Sequence, residues 1–350
     1  MKPLLQPQFC ELLACDPWLT MNEGNLQLGG VDAKHLAQQY GTPLFVVLKE
    51  ALDENVSRLK AALAGGWQGS SAIFFSVKSN PNLRVAKILA GIGIGMDVFS
   101  SNELRAALLA AGRDVPIVLN GSAKEIAALR LIAEVGGTIN IDSIEEIDVI
   151  ESIAAIHRRQ IPVNIRLKPN AGYFSEVASD YFGVNKGDAM INFIDDEKWG
   201  FSIEATVPLV NRLRSSPAFR LRGFSSHLGR ISTNPAVFAL YGRALSDMAT
   251  AITATTGFVP EVIDAGGGWP RMRDPESRTY QLNDQPIGAY VNAFAQGFKA
   301  NWHHKTLPEL WVEPGRYITG NAVVLLTEVI ARKADLNRIW LTVDTSTNHL

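Results

Sequence analysis

From about residue 73 to 315 the chain alternates short β-branched runs with amphipathic stretches. The runs are "IFFSVK", "IGMDVF", "VPIVLN", "TINID", "PVNIRLK", "LRGFSSH", "PEVIDAGGG" and "LWVEPG". Between the early ones lie "LRVAKILAGIG", "NELRAALLAAG" and "KEIAALRLIAEVG", whose apolar positions recur at helical spacing. Two helices are predicted to start in capping boxes, Ser100 with Glu103 and Ser143 with Glu146. Strands that are apolar nearly throughout belong in a parallel sheet covered on both faces. Alternation repeated about eight times over roughly 240 residues predicts a closed (β/α)8 barrel of the TIM type, with an open doubly wound sheet as the alternative.

The two ends fall outside this rhythm. "TPLFVV" (Thr42 to Val47) predicts a strand ahead of the barrel, while "AVVLLTEVIARK" and "IWLTVD" predict long antiparallel strands with no helix between them. Together they predict a second β domain drawn from both ends. The divisions are residues 1–48, a barrel over 49–318, and a C-terminal part over 319–350. The sequence stops at "TSTNHL", where that domain has barely begun. A lone strand pair leaves edges unpaired and apolar faces uncovered, so a truncated chain or a reduced second domain is expected.

Composition narrows the class of function. The 350 residues are 47% hydrophobic and 19% charged, with a formal net charge of -2. That balance offers no electrostatic footprint for nucleic acid or an anionic membrane. No window approaches the roughly 18 uninterrupted apolar residues of a membrane span. Gln, Glu and Asp interrupt any signal-peptide core in "MKPLLQPQFCELLACDPWL". Cys10 and Cys15 are expected to be reduced thiols, and a cytoplasmic protein is expected.

In a barrel of this kind, chemistry collects where strands end. The strand-end residues are Lys78, Asp97, Asn120, Asp142, Arg166, His227, Gly266 to Gly268, and Glu313 to Arg316. Singly each has a structural explanation: a strand-end Asp such as Asp142 often caps the next helix, and glycines make tight turns. As a set they converge on one rim. Three glycines after "VID" let backbone N–H groups approach an anion. A lysine buried among Phe74, Phe75 and Val77 would lose its proton readily and form an imine. An amine with a phosphate cradle points to pyridoxal 5'-phosphate, and His227 offers a ring to stack on it. No metal set competes, because the adjacent pair His303 and His304 cannot share a helix face.

The motifs "FFSVKSNPN", "MDVFSSNEL", "SDYFGVNKGD", "FSSHLGR", "IDAGGGWP" and "EPGRYITGNA" occur in that order. With them the chain closely resembles the alanine-racemase-fold pyridoxal phosphate decarboxylases, the group of diaminopimelate, ornithine, lysine and arginine decarboxylases. The likeness runs from "YGTPLFVV" to "VDTSTNHL". It implies that Lys78 is the imine-forming lysine, that His227 stacks on the pyridine ring, and that Gly266, Gly267 and Gly268 bind the phosphate. It implies that Arg316, with Gly315 beside it, lies near phosphate and substrate, and that Asp97 and Arg166 lie near the ring substituents. Glu313 is implied as the carboxylate at the ring nitrogen, where racemases of this fold place an arginine.

The resemblance therefore implies loss of the α-carboxylate as CO2 from a diamino acid or a carboxylated amino-acid derivative. The alternatives are a racemase of the same barrel or a non-catalytic decarboxylase homologue. After "HLG" the family often carries a small hydroxyl residue; here Arg230 stands there, with Ser232 two positions on as a substitute, and the alternatives for Arg230 are a grip on the phosphate or a substrate carboxylate, or a place as a surface-loop arginine. The family completes its site with a cysteine-acidic motif from a partner subunit and a tyrosine, so a homodimer with a shared active site is implied. Neither motif is found in this sequence.

Overall fold

The computed structural model describes residues 16–177, 198–229, 233–272, 283–335 and 338–346. Cys10, Cys15, Arg230, Ser232 and the motif "SDYFGVNKGD" lie outside them. The described chain opens with an antiparallel sheet of β1 (Leu19–Asn22), β2 (Asn25–Leu28) and β3 (Val31–Asp32), which the hydrophobic pattern does not predict. Asp32 then caps the helix Ala33–Tyr40, accepting from the backbone N–H of Lys34 at 2.8 Å and of His35 at 3.0 Å. Strand β4 (Leu44–Val47) lies in the expected "TPLFVV".

The eight apolar runs each supply one barrel strand. These are β5 (Ser71–Ser76), β6 (Gly95–Val98), β7 (Ile117–Leu119), β8 (Thr138–Ile141), β9 (Ile161–Arg166), β10 (Phe219–Ser225), β11 (Val262–Asp264) and β12 (Glu309–Val312). They pair in parallel in chain order, and β12 closes onto β5 with Leu310 opposite Ser71. The barrel is closed, and the open-sheet alternative falls away. One compact unit spans residues 57–317, and a second joins the residues before 57 to those after 317.

The barrel interior is built in levels, because side chains two residues apart on a strand share a face. Phe74, Val118, Val262 and Trp311 form an apolar floor, with the Phe74 and Trp311 ring centroids 4.6 Å apart. Two residues further along the same strands stand Ser76, Asn120, Asp264 and Glu313, all buried. Gly95 makes room below Asp97: a Cβ there would lie 2.6 Å from the Phe74 ring. Polar groups thus sit directly on the apolar floor, at the end where the strands finish.

One predicted capping box forms. Ser100 accepts from the N–H of Glu103 at 3.2 Å, and the Glu103 carboxylate accepts from the N–H of Phe99 at 2.8 Å. The other does not: the helix Glu145–His157 has Ile144 at its cap and no side-chain cap bond. Glu146 turns inward instead and pairs with the buried ammonium of Lys124 at 2.8 Å. A full charge in the interior is a stronger partner than a helix-end N–H.

Strand β13 (Val323–Leu326) pairs antiparallel with β4, Val323 opposite Val47, so residues from both ends share one sheet. The expected single strand in "AVVLLTEVIARK" is two, because β14 (Val329–Asp335) leaves to pair with β15 (Arg338–Val343). The break falls at Thr327–Glu328, where the Glu328 N–H donates to Asp344 Oδ1 at 2.9 Å and starts the second hairpin. That hairpin carries Ile330, Trp340 and Leu341 exposed.

Outside the strands, the helices Pro235–Thr256 and Ile287–Asn301 pack at backbone distance. A Cβ on Gly297 would lie 1.9 Å from the carbonyl oxygen of Ala239, whereas one on Gly288 would meet nothing within 4 Å. Gly297→Ala should therefore lower stability by about 1–3 kcal/mol or more through overpacking. Gly288→Ala in the same helix should be neutral or slightly stabilising. Urea unfolding of the two variants beside the parent checks the contrast.

Candidate active site

Lys78 sits in a one-turn 3₁₀ helix, Val77–Ser79, immediately after β5. Phe74, Phe75 and Val77 are buried, but Lys78 itself is exposed, so the expected burial of its amine does not hold. The turn swings the side chain out of the strand's apolar environment. Its Nζ lies 3.8 Å from the centroid of the Phe99 ring. Its charge is felt by both Asp97 and His227, which places the amine at the mouth beside them.

His227 follows β10, and its Nδ1 accepts the backbone N–H of Gly267 at 2.9 Å. An accepting Nδ1 carries no proton, so this bond selects the neutral imidazole. Part of the ring surface stays open, yet the protein packed around it, then Arg166 and Lys78, push its pKa down to about 3. Geometry and charge agree on the neutral form.

The glycine run is shaped by this histidine. A Cβ on Gly266 would lie 2.7 Å from His227 Nδ1, and one on Gly267 would lie 3.1 Å from its Cε1. The N–H of Gly266 donates to Asp264 Oδ1 at 2.9 Å. Two of the three glycine N–H groups therefore serve Asp264 and His227. Gly268 stands at φ +84° on the same rim. Across from it, a Cβ on Gly315 would lie 2.8 Å from that of Ser79, so the loops after β12 and β5 touch there. Arg316 is exposed at the start of the short helix Arg316–Thr319.

The polar level beneath holds three buried carboxyl groups, Asp97, Asp264 and Glu313. Asn120 Nδ2 donates to Asp97 Oδ1 at 2.8 Å and to Glu313 Oε1 at 2.6 Å. Burial raises the Asp97 pKa to about 7, against hydrogen bonds from Asn120 and Ser76. Burial raises Asp264, and Glu313 is held well above the usual carboxylate range by burial and then by the negative charges of Asp264 and Asp97. Arg166, also buried, ends β9 with its guanidinium 3.9 Å from Asp142 Oδ2 and 5.3 Å from the Trp199 ring. Asp142 does not cap a helix; its Oδ1 accepts the N–H of Gly200 at 2.6 Å.

Lys78, His227, Glu313, Asp97, Arg166 and the glycine run thus lie around one mouth. The sequence reading singled out neither Lys124 nor the asparagines inside the strands, Asn140 and Asn164. Lys124 donates to the Gly121 carbonyl at 2.6 Å and to Glu146 Oε2 at 2.8 Å, with its side chain wholly buried. Burial lowers the pKa of Lys124 and raises that of Glu146, both towards neutrality and against their mutual attraction. The ion pair is thus geometrically close and energetically expensive. The donor set fits pyridoxal phosphate: an amine, a neutral imidazole, a buried acid and a glycine loop share one mouth, and a Cβ on the loop would strike the imidazole. Among the described residues, no group of three or more His, Cys, Asp or Glu side chains could hold a metal ion.

Comparison with known proteins agrees. Residues 50–320 match the family model described as "Pyridoxal-dependent decarboxylase, pyridoxal binding domain". The diaminopimelate decarboxylase of Methanothermobacter thermautotrophicus is 31% identical, covering 88% of this chain and 68% of that protein. The enzyme of the same name from Zymomonas mobilis is 29% identical over 95% of this chain and 74% of its own length. In fold, the crystal structure of diaminopimelate decarboxylase from M. jannaschii matches with a TM-score of 0.81 at 24% identity, covering 95% of this chain and 74% of that one. The lysine/ornithine decarboxylase of Vibrio vulnificus, complexed with putrescine, matches at 0.69 and 18%, covering 89% and 73%.

Two measurements follow from the buried charges. Lys124→Met should cost about 3–5 kcal/mol by stranding Glu146, and Lys124→Met with Glu146→Leu should recover most of it; urea unfolding of the cycle reads both. Asp97 binds a proton in the folded state that the unfolded chain has already lost, so its contribution is full below about pH 4 and lost as pH rises through about 7. The melting temperature of the cofactor-free protein should fall across that window, and Asp97→Asn should flatten the fall.

Proposed function

The chain belongs to the pyridoxal-dependent decarboxylases, and on that footing we propose that Lys78, His227 and Glu313 remove the α-carboxylate of a diamino acid carrying a second carboxylate. It is a pyridoxal phosphate-dependent amino-acid decarboxylase. The diaminopimelate decarboxylases among its relatives support a substrate of that class. When bound, the cofactor supplies an electron-poor ring that takes up the electron pair left by departing CO2.

The observation that carries the reading is the acid at Glu313. A carboxyl group held above the usual range keeps a proton at a pyridine nitrogen, whereas an arginine there would repel one. At an effective dielectric of 20 a unit-charge pair 4 Å apart is worth about 4 kcal/mol, enough to separate decarboxylation from racemisation. His227, neutral and fixed by Gly267, presents an uncharged ring face beside this acid. Arg166 supplies positive charge at the mouth and is steadied by Asp142 and Trp199. Lys78 provides the amine to which the cofactor attaches, over the Phe99 ring. The resemblance supports a phosphate site on this rim, at Gly266 to Gly268 with Arg316. The resemblance also supports a cytoplasmic homodimer whose subunits share the site, which sedimentation with and without the cofactor would test.

The purified protein with added pyridoxal phosphate should release CO2 from diaminopimelate faster than from lysine or ornithine. Borohydride reduction followed by peptide mass mapping should place the pyridoxyl group on Lys78, and Lys78→Ala should abolish both signals. Glu313→Gln should lower kcat by about 10²–10⁴-fold while leaving the label on Lys78. Inverted substrate without CO2, or label on another lysine, would overturn the assignment.

A further inference from the structure

Three asparagines cross the barrel interior in single file, all nearly or wholly buried: Asn164 on β9, Asn140 on β8 and Asn120 just beyond β7. Asn164 Nδ2 donates to Asn140 Oδ1 at 2.9 Å, and Asn140 Nδ2 donates to Asn120 Oδ1 at 2.9 Å. Asn140 Nδ2 also donates to Asp264 Oδ2 at 3.0 Å, and Asn120 Nδ2 gives both its hydrogens to Asp97 and Glu313. Every amide points the same way. Turning Asn120 over would set its oxygen against two carboxyl oxygens, and each amide behind would have to follow. The acids at one end therefore fix the direction of the whole file. At the other end Asn164 Oδ1 is buried and has no hydrogen-bond partner among the described residues.

This one-way file distributes donors unequally among the acids. Asp264 receives two N–H bonds, from Gly266 at 2.9 Å and from Asn140. Asp97 receives one from Asn120 and one from the Ser76 side chain. Among the described residues, Glu313 receives the Asn120 bond on Oε1 and shares a further hydrogen bond with the carboxyl group of Asp264. Two carboxyl groups in hydrogen-bond contact need a proton between them, and the better-donated one stays the anion. We propose that Asp264 is a positioning residue: oriented by the asparagine file and Gly266, it acts as the anionic acceptor that keeps the shared proton on Glu313. A base brought to Glu313, a pyridine nitrogen included, then meets an acid already in place. This rests on, and deepens, the role proposed for Glu313.

The groups that bear on this proton come from elements all around the barrel. Asp97 on β6 and Asp264 on β11 are the acids; Lys78 after β5 and Arg166 on β9 are the cations that reach the cluster. His227 after β10 is neutral, and Tyr241, in the helix Pro235–Thr256, carries its phenol proton throughout the neutral range. Asp97, raised to about 7, is a competing store of a proton near neutrality.

Infrared spectra of the cofactor-free protein test the proposal without any turnover. At pH 7 the Asp97→Asn protein, freed of the group that titrates at about 7, should still show a protonated-carboxyl stretch, shifted in D2O, that adding Glu313→Gln removes. Asp264→Asn should move the pH at which that band disappears downward, because an amide in its place can donate to a Glu313 carboxylate. A purely structural part for Asp264 would leave that midpoint where it was, and such a result overturns the proposal. So does a band in the Asp97→Asn protein that survives adding Glu313→Gln, or one that Asp97→Asn alone removes. Because no cofactor is present, failure here stays separate from failure of the decarboxylase reading, which the label on Lys78 decides. Should Glu313→Gln not fold, Asp97→Asn and the pH titration of the parent still assign the band.

Discussion

Everything at the mouth of this barrel follows from one constraint: three carboxyl groups share a single buried level, where an unpaired charge is costly. Asp97, Asp264 and Glu313 stand directly above an apolar floor, so they cannot all ionise. The protein answers with donors fixed in space. Asn120 bridges two of the acids, Asn140 and Gly266 hold the third, and Arg166 lends positive charge from the side. Strand-to-strand register sets these positions, because Asn140 lies opposite Asn164 and Ser76 opposite Asp97 across neighbouring strands. A slip of one residue would turn each of them away from the interior.

The same economy shapes the loops. Gly266 and Gly267 are small because His227 and the neighbouring backbone lie where their side chains would be, and their N–H groups finish the Asp264 and His227 environments. A glycine run that reads as a phosphate loop is, in its first two positions, the frame that selects one tautomer of a histidine.

The barrel was legible because its signal is collective: eight apolar runs separated by helical periods leave little choice of architecture. The rim residues were legible for a related reason: each ends a run, and although each singly had a structural explanation, as a set they pointed to one rim. Individual geometry was harder. Lys78 follows three buried apolar residues, and only the 3₁₀ turn, which no composition signal marks, carries it out into the open. Ser143 and Glu146 have the spacing of a capping box, but Lys124, some twenty residues earlier, takes the glutamate away. Asn140 and Asn164 did leave a trace: each is a polar residue in the middle of an apolar strand, in "TINID" and "PVNIRLK". Such a residue in a buried strand asks for a partner, and two at matching positions on neighbouring strands ask for each other.

These features together cost stability. Lys124 with Glu146, and the three acids with their amides, place polar groups where well-packed apolar side chains would often serve a barrel at least as well. The buried acids and cations of the barrel gather at the end where the strands finish, while the floor is formed by Phe74, Val118, Val262 and Trp311. That asymmetry fits a division of labour in which one half of the interior holds the barrel together and the other holds a proton, a neutral imidazole and a cation in fixed relation. An interior arranged only for stability would have no reason to bury charge at one end alone. What such an end offers is preorganisation: its dipoles and protons are set when the chain folds, so little reorganisation is left to be done when the reacting groups arrive.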